Sequence, residues 1–177
     1  MNGRRWDLDI KEPVDFSIDW EQKLREDIAK KGKLHGCSGI DYFVFPRNLP
    51  HNLPAFAVGR PGWDNWLIYH IRSLRIPVID ATKVISVVHQ NHDYSHHSEG
   101  EYGVWKGQEA QYNLSLAGGY HYLYTLKDAT HKLTKKGLHP NRTVYSFYRK
   151  FVTLSVSSPF CKLIYKLWRK FSDVVRS

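Results

Sequence analysis

The sequence predicts an α/β fold, in which short strands alternate with amphipathic helices. Apolar residues recur at helical spacing in three stretches, and short runs of β-branched and aromatic residues lie between them. The 177 residues are 42% hydrophobic and 14% aromatic, which is the composition of a folded protein of one domain's size. We therefore expect one α/β body, followed by a tail of different composition.

The first part of the chain is predicted to hold two strands and one helix. Residues 1–10 alternate polar and apolar side chains in part, as a strand or an extended arm does. Residues 20–30 place apolar side chains four positions apart between charged ones, which predicts a helix with Asp19 as its N-cap. The aromatic run 41–46 ends at a proline and is predicted to be a short strand.

The second part of the chain is predicted to continue this alternation. One helix starts after a turn that contains Gly and Pro, and a second helix ends at a Gly-Gly pair. The predicted elements are, in order, a helix over 64–75, strands over 77–80 and 84–89, a histidine-rich loop over 90–103, a helix over 108–117 and a strand over 120–126.

The positive charge of the protein is concentrated near its C-terminus. The net charge is +9, and residues 141–177 contribute +7 of it, from eight Lys and Arg and the single acid Asp173. The other 140 residues carry eighteen bases and sixteen acids, so their charge does not predict a nucleic-acid partner. We therefore divide the chain into a body, residues 1–140, and a basic tail, residues 141–177.

The tail has the pattern of a basic, aromatic amphipathic helix. Between residues 160 and 171 apolar side chains recur at helical spacing, and four Lys and Arg lie largely on the other side. Such a helix can lie on an anionic membrane surface or dock on the body of the protein, and the sequence leaves both alternatives open.

The N-terminal residues and the cysteines predict a cytoplasmic protein, with the tail as a peripheral membrane contact. The first nine residues lack the apolar stretch of a signal peptide, and no apolar run approaches the roughly 18 residues of a membrane span. Cys37 and Cys161 are far apart and show no metal-binding pattern, which fits a reducing compartment.

The turn that leads into the helix predicted over 64–75 carries the candidate catalytic residue. A carboxylate at a helix N-terminus is stabilised by free N–H groups, so a helix cap is one interpretation of Asp64. The other is a sugar site, because flat rings pack against the apolar face of a pyranose and a carboxylate can accept a hydroxyl proton. In that interpretation Asp64 is the base, and the residues predicted to bind substrate are Trp63, Asn65, Trp66, Arg60 and Tyr42.

A histidine-rich run follows the strand predicted over 84–89. Residues 89–97 contain four histidines and Asp93, and imidazole and carboxylate groups bind Zn, Mn, Fe or Ni. The alternative is a polar loop whose histidines form local hydrogen bonds. The first two histidines lie next to the strand end, which would hold them still, so the predicted metal ligands are His89, His92 and Asp93.

Several short motifs occur together in one order. From Gly3 to Leu138 they are GRRWDLDI, GIDYFVFPR, VGRPGWDNWLIYH, IPVIDAT, HQNHDYSHH, GQEAQYNLSLAGG and LKDATHKLT. This stretch resembles the distal, acceptor-side part of a glycosyltransferase-like family with the GT-A fold of nucleotide-diphospho-sugar transferases. The resemblance implies part of a GT-A-like mixed sheet with flanking helices. It also implies transfer of a sugar from a nucleotide-sugar to a saccharide or glycolipid acceptor.

The resemblance implies roles for individual residues as well. In metal-dependent inverting galactosyltransferases of this fold, a Gly/Trp turn that ends in acidic residues holds the acceptor and the base, and a following histidine binds the metal. This pattern implies Asp64 as the base and His89 or His92 as a ligand of Mn or Mg. Arg60 is expected either to pair with a phosphate or to lie exposed in its loop.

The nucleotide-binding half of such enzymes precedes the region that the resemblance covers. It ends in a D-x-D motif that binds the metal and the donor diphosphate. Asp7 and Asp9 have that spacing but follow the position that the motif takes, so structural roles are favoured for them. We therefore expect the chain to bind nucleotide-sugar weakly and to need the donor-binding half for transfer.

Two other classes of function remain open on the sequence. The histidine run could form a metal-binding, hydrolase-like domain, which metal content after purification would test. The aromatic turn and the basic tail could form a non-catalytic module that binds carbohydrate or a membrane surface. Sedimentation with liposomes, with and without the tail, would test that alternative.

Overall fold

The structure, a computed structural model, describes residues 1–49, 53–95 and 97–149, and it is a mixed α/β protein with two small sheets. The predicted α/β class is confirmed. The strands are β1 (Arg5–Leu8), β2 (Lys33–Leu34), β3 (Ile79–Asp80), β4 (Val87–Gln90), β5 (His131–Thr134) and β6 (Gly137–Pro140). The helices are α1 (Trp20–Lys31), α2 (Trp63–Ser73), α3 (Gly100–Lys106) and α4 (Gln108–Ala117), with 3-10 turns at Tyr120–Tyr122 and Leu126–Asp128 and a helical segment over 144–149.

The first sheet has the strand order β2-β1-β4. Strand β1 is antiparallel to β2 and parallel to β4, and the parallel register places Asp7 beside His89. Alternate residues of a strand face the same side of a sheet, so Arg5 shares a face with Asp7. Charged side chains that are far apart in the sequence therefore meet on one face of this sheet.

The second sheet has the order β3-β5-β6. Strand β3 is parallel to β5, and β5 forms an antiparallel hairpin with β6. An isolated bridge between Asn2 and Asp80 connects the N-terminal segment before β1 to this second sheet. The backbone N–H of Asn2 donates to Ile79 O at 3.1 Å, and Ala81 N–H donates to Asn2 O at 2.8 Å.

The core lies around α2. Trp66, Leu67 and Ile68 of this helix are buried, and Ile68 is only 1% exposed. Because these residues belong to the first two turns of α2, the core fixes the N-terminal half of the helix in place. The buried cluster around Ile68 is completed by Ile40, Val78, Tyr124, Leu126 and Ala129.

Helix prediction succeeded where the signals were local. Helix α4 has the predicted bounds, and Gly118 ends it in the left-handed conformation at φ 82°. Helix α1 forms as predicted, one residue longer, but the capping role of Asp19 is wrong. Asp19 itself has a left-handed backbone, with φ 68°, and its side chain makes no hydrogen bond to the helix.

Two predicted strands are wrong. Residues 41–46 have no regular structure, and their contact with the N-terminus is one reciprocal pair between Met1 and Val44, at 2.7 and 2.8 Å. Residues 120–126 form 3-10 turns and loop instead of a strand. There the carboxylate of Asp128 accepts a hydrogen bond from Thr125 N–H at 2.9 Å, and such local side-chain bonds compete with a strand ladder.

The described part of the basic tail, residues 141–149, packs on the body. Asn141 Nδ2 donates to Ala129 O at 2.9 Å, and Arg149 pairs with the buried carboxylate of Asp128. The Arg149 guanidinium also lies 4.0 Å from the centre of the Tyr124 ring. The amphipathic pattern over 160–171 lies outside the described residues. In the described ranges, no helix is both long enough and apolar enough to cross a membrane.

Candidate functional site

A cleft of about 620 Å³ lies between the first sheet, the loop over 35–41, the N-terminus of α2 and α3. Asp64 lies in the first turn of α2, as the sequence predicts, and it lines this cleft. The predicted site residues that line the cleft are Arg60, Trp63, Asp64, Asn65, His89 and His92.

The turn before α2 is held by a buried asparagine of α4. Asn113 is 0% exposed, and its side chain donates to Ala57 O at 2.9 Å and to Pro61 O at 3.2 Å. Its Oδ1 accepts from Ala57 N–H at 2.8 Å. Gly62, with φ 103°, then turns the chain into the helix, which glycine does without steric strain. Helix α4 thus fixes the loop that carries Arg60 and leads to Asp64.

Asp64 is a half-buried carboxyl group, and burial raises its pKa to about 6. Its Oδ1 accepts a hydrogen bond from Asn65 N–H at 2.8 Å, and backbone N–H groups act against the rise. The charge of Asp41 raises this pKa further, and the charge of Arg5 lowers it. A carboxyl with a pKa close to the working pH is suited to accept a proton in a reaction.

Asn65 links the start of α2 to the segment after α4. Its Nδ2 donates to Tyr124 O at 2.8 Å, and Tyr124 N–H donates to Asn65 O at 3.1 Å. The amide of Asn65 therefore holds the turn in place while the residue lines the cleft.

A network of alternating charges joins the first sheet to the loop over 35–41 beside the cleft, and we call it the Arg5 network. Arg5 Nε donates to Asp7 at 3.0 Å, and Arg5 Nη1 donates to Asp41 at 2.7 Å. The second oxygen of Asp7 lies 2.6 Å from His35 Nδ1, and that of Asp41 lies 2.9 Å from His89 Nδ1. Although burial acts against it, the hydrogen bonds from His35 and Arg5 hold the pKa of Asp7 below its usual value.

Sequence reasoning missed Arg5, His35 and Asp41. The alternation of Arg5 and Asp7 along β1 was the available signal, but only the pairing of β1 with β2 and the path of the loop after β2 bring His35 and Asp41 to them. The two acids with D-x-D spacing both have protein partners, since Asp9 accepts a hydrogen bond from Asn91 Nδ2 at 2.7 Å.

Aromatic rings form another part of the cleft wall. Trp63 lines it and packs against Phe43 with ring centres 5.9 Å apart. Trp105 of α3 also lines the cleft and is 49% exposed, so its ring is available to a ligand. No local signal in the sequence connects Trp105 with the turn at Trp63.

Two residues predicted to bind sugar, Trp66 and Tyr42, do not line this cleft. Trp66 is buried and stacks on His70 with ring centres 4.7 Å apart, because it lies on the core-facing side of α2. The Tyr42 hydroxyl is buried, and burial together with the charge of Asp80 raises its pKa to about 12.

The predicted metal ligands are not arranged as one set. His92 Nδ1 lies 2.8 Å from Asp93 O, and the carboxylate of Asp93 accepts from Ser95 N–H and Oγ at 3.2 and 2.6 Å. His89 is paired with Asp41. No group of three or more His, Cys, Asp or Glu side chains is placed to hold a metal ion within residues 1–49, 53–95 and 97–149. Binding of Mn or Mg stays a prediction.

No family model, curated protein or solved structure matches this chain. The likeness to GT-A glycosyltransferases therefore rests on the sequence motifs alone. What the structure adds is the cleft, which brings the acid of one motif, Asp64, to the same site as the first histidine of another, His89.

Proposed function

We propose that this chain provides the acceptor side of a nucleotide-sugar glycosyltransferase, with Asp64 as the base. The observation that supports this most is the half-buried carboxyl of Asp64, whose pKa is raised to about 6, beside Trp63 in an open cleft. Such a group is mostly ionised at neutral pH, and it can still accept a proton from a hydroxyl group in the transition state.

In the proposed reaction the Asp64 carboxylate removes the proton from an acceptor hydroxyl group. The oxygen forms a bond to the anomeric carbon of the donor sugar, and the bond from that carbon to the nucleoside diphosphate breaks. The diphosphate leaves with the electron pair, and the proton stays on Asp64 until it is lost to water. The chain's own contribution is to orient the acceptor and to hold the base against it.

The remaining walls of the cleft suit a saccharide. The rings of Trp63 and Trp105 offer flat apolar faces to the C–H groups of a pyranose. Arg60 Nε donates to Glu109 at 2.6 Å, which fixes the guanidinium beside the turn. Arginine carries five N–H donors, so Arg60 retains donors for a ligand oxygen.

Saturation-transfer NMR on the full chain tests the proposal, with a panel of methyl hexosides as probes. We expect at least one hexoside to bind, and Trp63→Ala to weaken its affinity about tenfold or more through loss of ring contact. Trp20→Ala is the matched control, because Trp20 lies on α1 and does not line the cleft. Absence of binding by every hexoside, or equal affinity of the Trp63 variant and the wild type, would contradict the proposal.

A further inference from the structure

The Arg5 network contains two Asp–His pairs that take no part in the proposed proton transfer to Asp64. Asp7 faces His35 Nδ1, Asp41 faces His89 Nδ1, and Arg5 bridges the two carboxylates. Both histidines line the cleft, and 33% of the His35 side chain and 26% of the His89 side chain remain exposed. Each imidazole is thus paired with a carboxylate at Nδ1 and remains partly exposed in the cleft.

The chemistry of these pairs fixes which ring nitrogen can meet a ligand. An ionised carboxylate only accepts hydrogen bonds, so the facing Nδ1 must carry the hydrogen. In the neutral ring the lone pair then lies on Nε2, and Nε2 accepts a hydrogen bond from a donor such as a hydroxyl group. The backbone at Gly39 packs beside the Cδ2–Nε2 edge of His35, since a Cβ at this position would lie 2.1 Å from Cδ2 and 2.9 Å from Nε2. Only glycine therefore leaves room for this ring.

The balance of charge around the cleft disfavours an anionic ligand. The two guanidinium groups that line it are already paired, Arg5 with two carboxylates and Arg60 with Glu109. Two carboxylates, Asp41 and Asp64, line the cleft with these two guanidinium groups. Asp7 and Glu109 do not line it, but they add a second carboxylate to Arg5 and the partner of Arg60. A carboxylate or phosphate on the ligand would meet like charges, whereas a hydroxyl group finds acceptors.

We infer that the acceptor is an uncharged sugar, and that His35 and His89 accept hydrogen bonds from two of its hydroxyl groups. In this arrangement Asp7 and Asp41 are positioning residues, which act by holding the two rings. The inference rests on the proposed function of the cleft as a saccharide site. It adds the class of sugar and the histidines that form hydrogen bonds with it.

Nitrogen-15 NMR of the histidine rings tests the positioning role without any ligand. In the wild type we expect His89 to carry its hydrogen on Nδ1, and Asp41→Ala to shift the ring toward the Nε2–H form. Asp41→Asn is the milder second variant if the alanine variant does not fold. His139, exposed on β6, is the control ring and should keep its signals in both variants. A His89 ring already in the Nε2–H form in the wild type would overturn the inference.

Saccharide binding tests the class of ligand, with methyl hexosides compared against a methyl hexuronide and a hexose 6-phosphate. We expect the charged sugars to bind at least about tenfold more weakly than the neutral ones. His89→Ala and Asp41→Ala should each weaken hexoside binding about tenfold, and His139→Ala should leave it unchanged.

The outcomes separate this inference from the proposed function. If Trp63→Ala weakens hexoside binding while His89→Ala and Asp41→Ala do not, the cleft binds sugar but the inference fails. Tighter binding of the hexuronide or the phosphate than of the hexoside also overturns it. If no saccharide binds, both the proposed function and the inference fail.

Discussion

At Asp64 two local influences act on the carboxyl group in opposite directions. Backbone N–H groups at the start of α2 stabilise the carboxylate, as in a helix cap, whereas burial disfavours the charged form. A group that only capped the helix would have a lowered pKa, because the cap binds the ionised form. The pKa of Asp64 is instead raised to about 6, which favours the interpretation as a base.

Asp64→Asn should therefore stabilise the protein at neutral pH. The folded pKa of about 6 lies above the unfolded value of 3.8, so the wild type loses stability as the pH rises through this window. A neutral amide of the same shape avoids that loss and can still accept from Asn65 N–H. Urea unfolding at pH 7.5 should show a gain of about 1–3 kcal/mol, which fades as the pH falls toward 4. Asp19→Asn, at the start of α1, should show no such gain, and an Asp64 variant that is less stable at pH 7.5 would contradict the assignment.

The sequence was informative about Asp64 and much less so about its surroundings. The turn at Gly62 and the helix after it are local features, so the position of Trp63 and Asp64 followed from spacing. Asp41 joins the same cleft only because the loop over 35–41 lies beside β1 and β4. Trp66 was predicted to bind substrate because it is close to Asp64 in the sequence. In the structure its ring lies on the buried side of the helix.

At the scale of elements, α4 acts on the site through Asn113. This residue satisfies three backbone groups of the turn, two on Ala57 and one on Pro61. Nothing in the sequence distinguishes it from an exposed polar residue of an amphipathic helix, because its partners lie more than 50 residues away in the chain.

Asn113→Ala should loosen the turn and destabilise the fold. The substitution leaves three backbone groups without their side-chain partner, which predicts a loss of about 2–3 kcal/mol in the free energy of unfolding. Chemical denaturation measures it, with Gln111→Ala on the exposed face of the same helix as the control. A loss below about 0.5 kcal/mol, the usual range for a surface change, would show that the turn is held by other contacts.

The strand errors have a physical cause at this scale. Residues 120–126 have the aromatic and aliphatic composition of a strand, yet the hydrogen bonds of Thr125 and Asp128 close a tight turn there. Strands β5 and β6 carry few β-branched or aromatic residues, yet they form a hairpin with each other, and β5 also pairs with the distant β3. Tertiary pairing therefore overrides local propensity in this region.

The ion pair of Asp128 and Arg149 should anchor the start of the basic tail. The Asp128 side chain is 0% exposed, and Arg149 is its charged partner. Asp128→Asn leaves a guanidinium without its charge partner, so we expect a loss of about 3 kcal/mol or more in unfolding free energy. Asp27→Asn removes an exposed pair with Lys31 and should change stability by less than about 0.5 kcal/mol. Similar effects for the two variants would contradict the anchoring role.

In the whole molecule, the cleft brings the Asp64 carboxyl group together with residues from distant parts of the chain. Residues 1–49, 53–95 and 97–149 contain no Gly-rich loop of a nucleotide-binding βαβ unit. The need for a separate donor-binding half stays a prediction of the resemblance. The alternation of strands and helices predicted the α/β class, and the resemblance predicted Asp64 together with His89 or His92, whereas the sheet order required the structure.

The chain alone should bind nucleotide-sugars weakly. Isothermal titration against a panel of nucleoside-diphosphate sugars with Mn present should give dissociation constants of about 1 mM or weaker, because the diphosphate finds few of its contacts here. A nucleoside diphosphate without the sugar is the matched control. Tight, stoichiometric binding of one nucleotide-sugar would show that the donor site is complete in this chain.

The pKa of the Asp64 carboxyl group, followed by carbon-13 NMR with and without a saturating methyl hexoside, tests directly whether this group contacts a sugar. In the free protein we expect a value of about 6. A hydrogen bond from a sugar hydroxyl group to Asp64 stabilises the ionised carboxylate, so the bound sugar should lower the pKa of Asp64. An Asp64 pKa that stays the same when the hexoside is bound would contradict the role of Asp64 as the base, because the carboxylate would then not contact the acceptor.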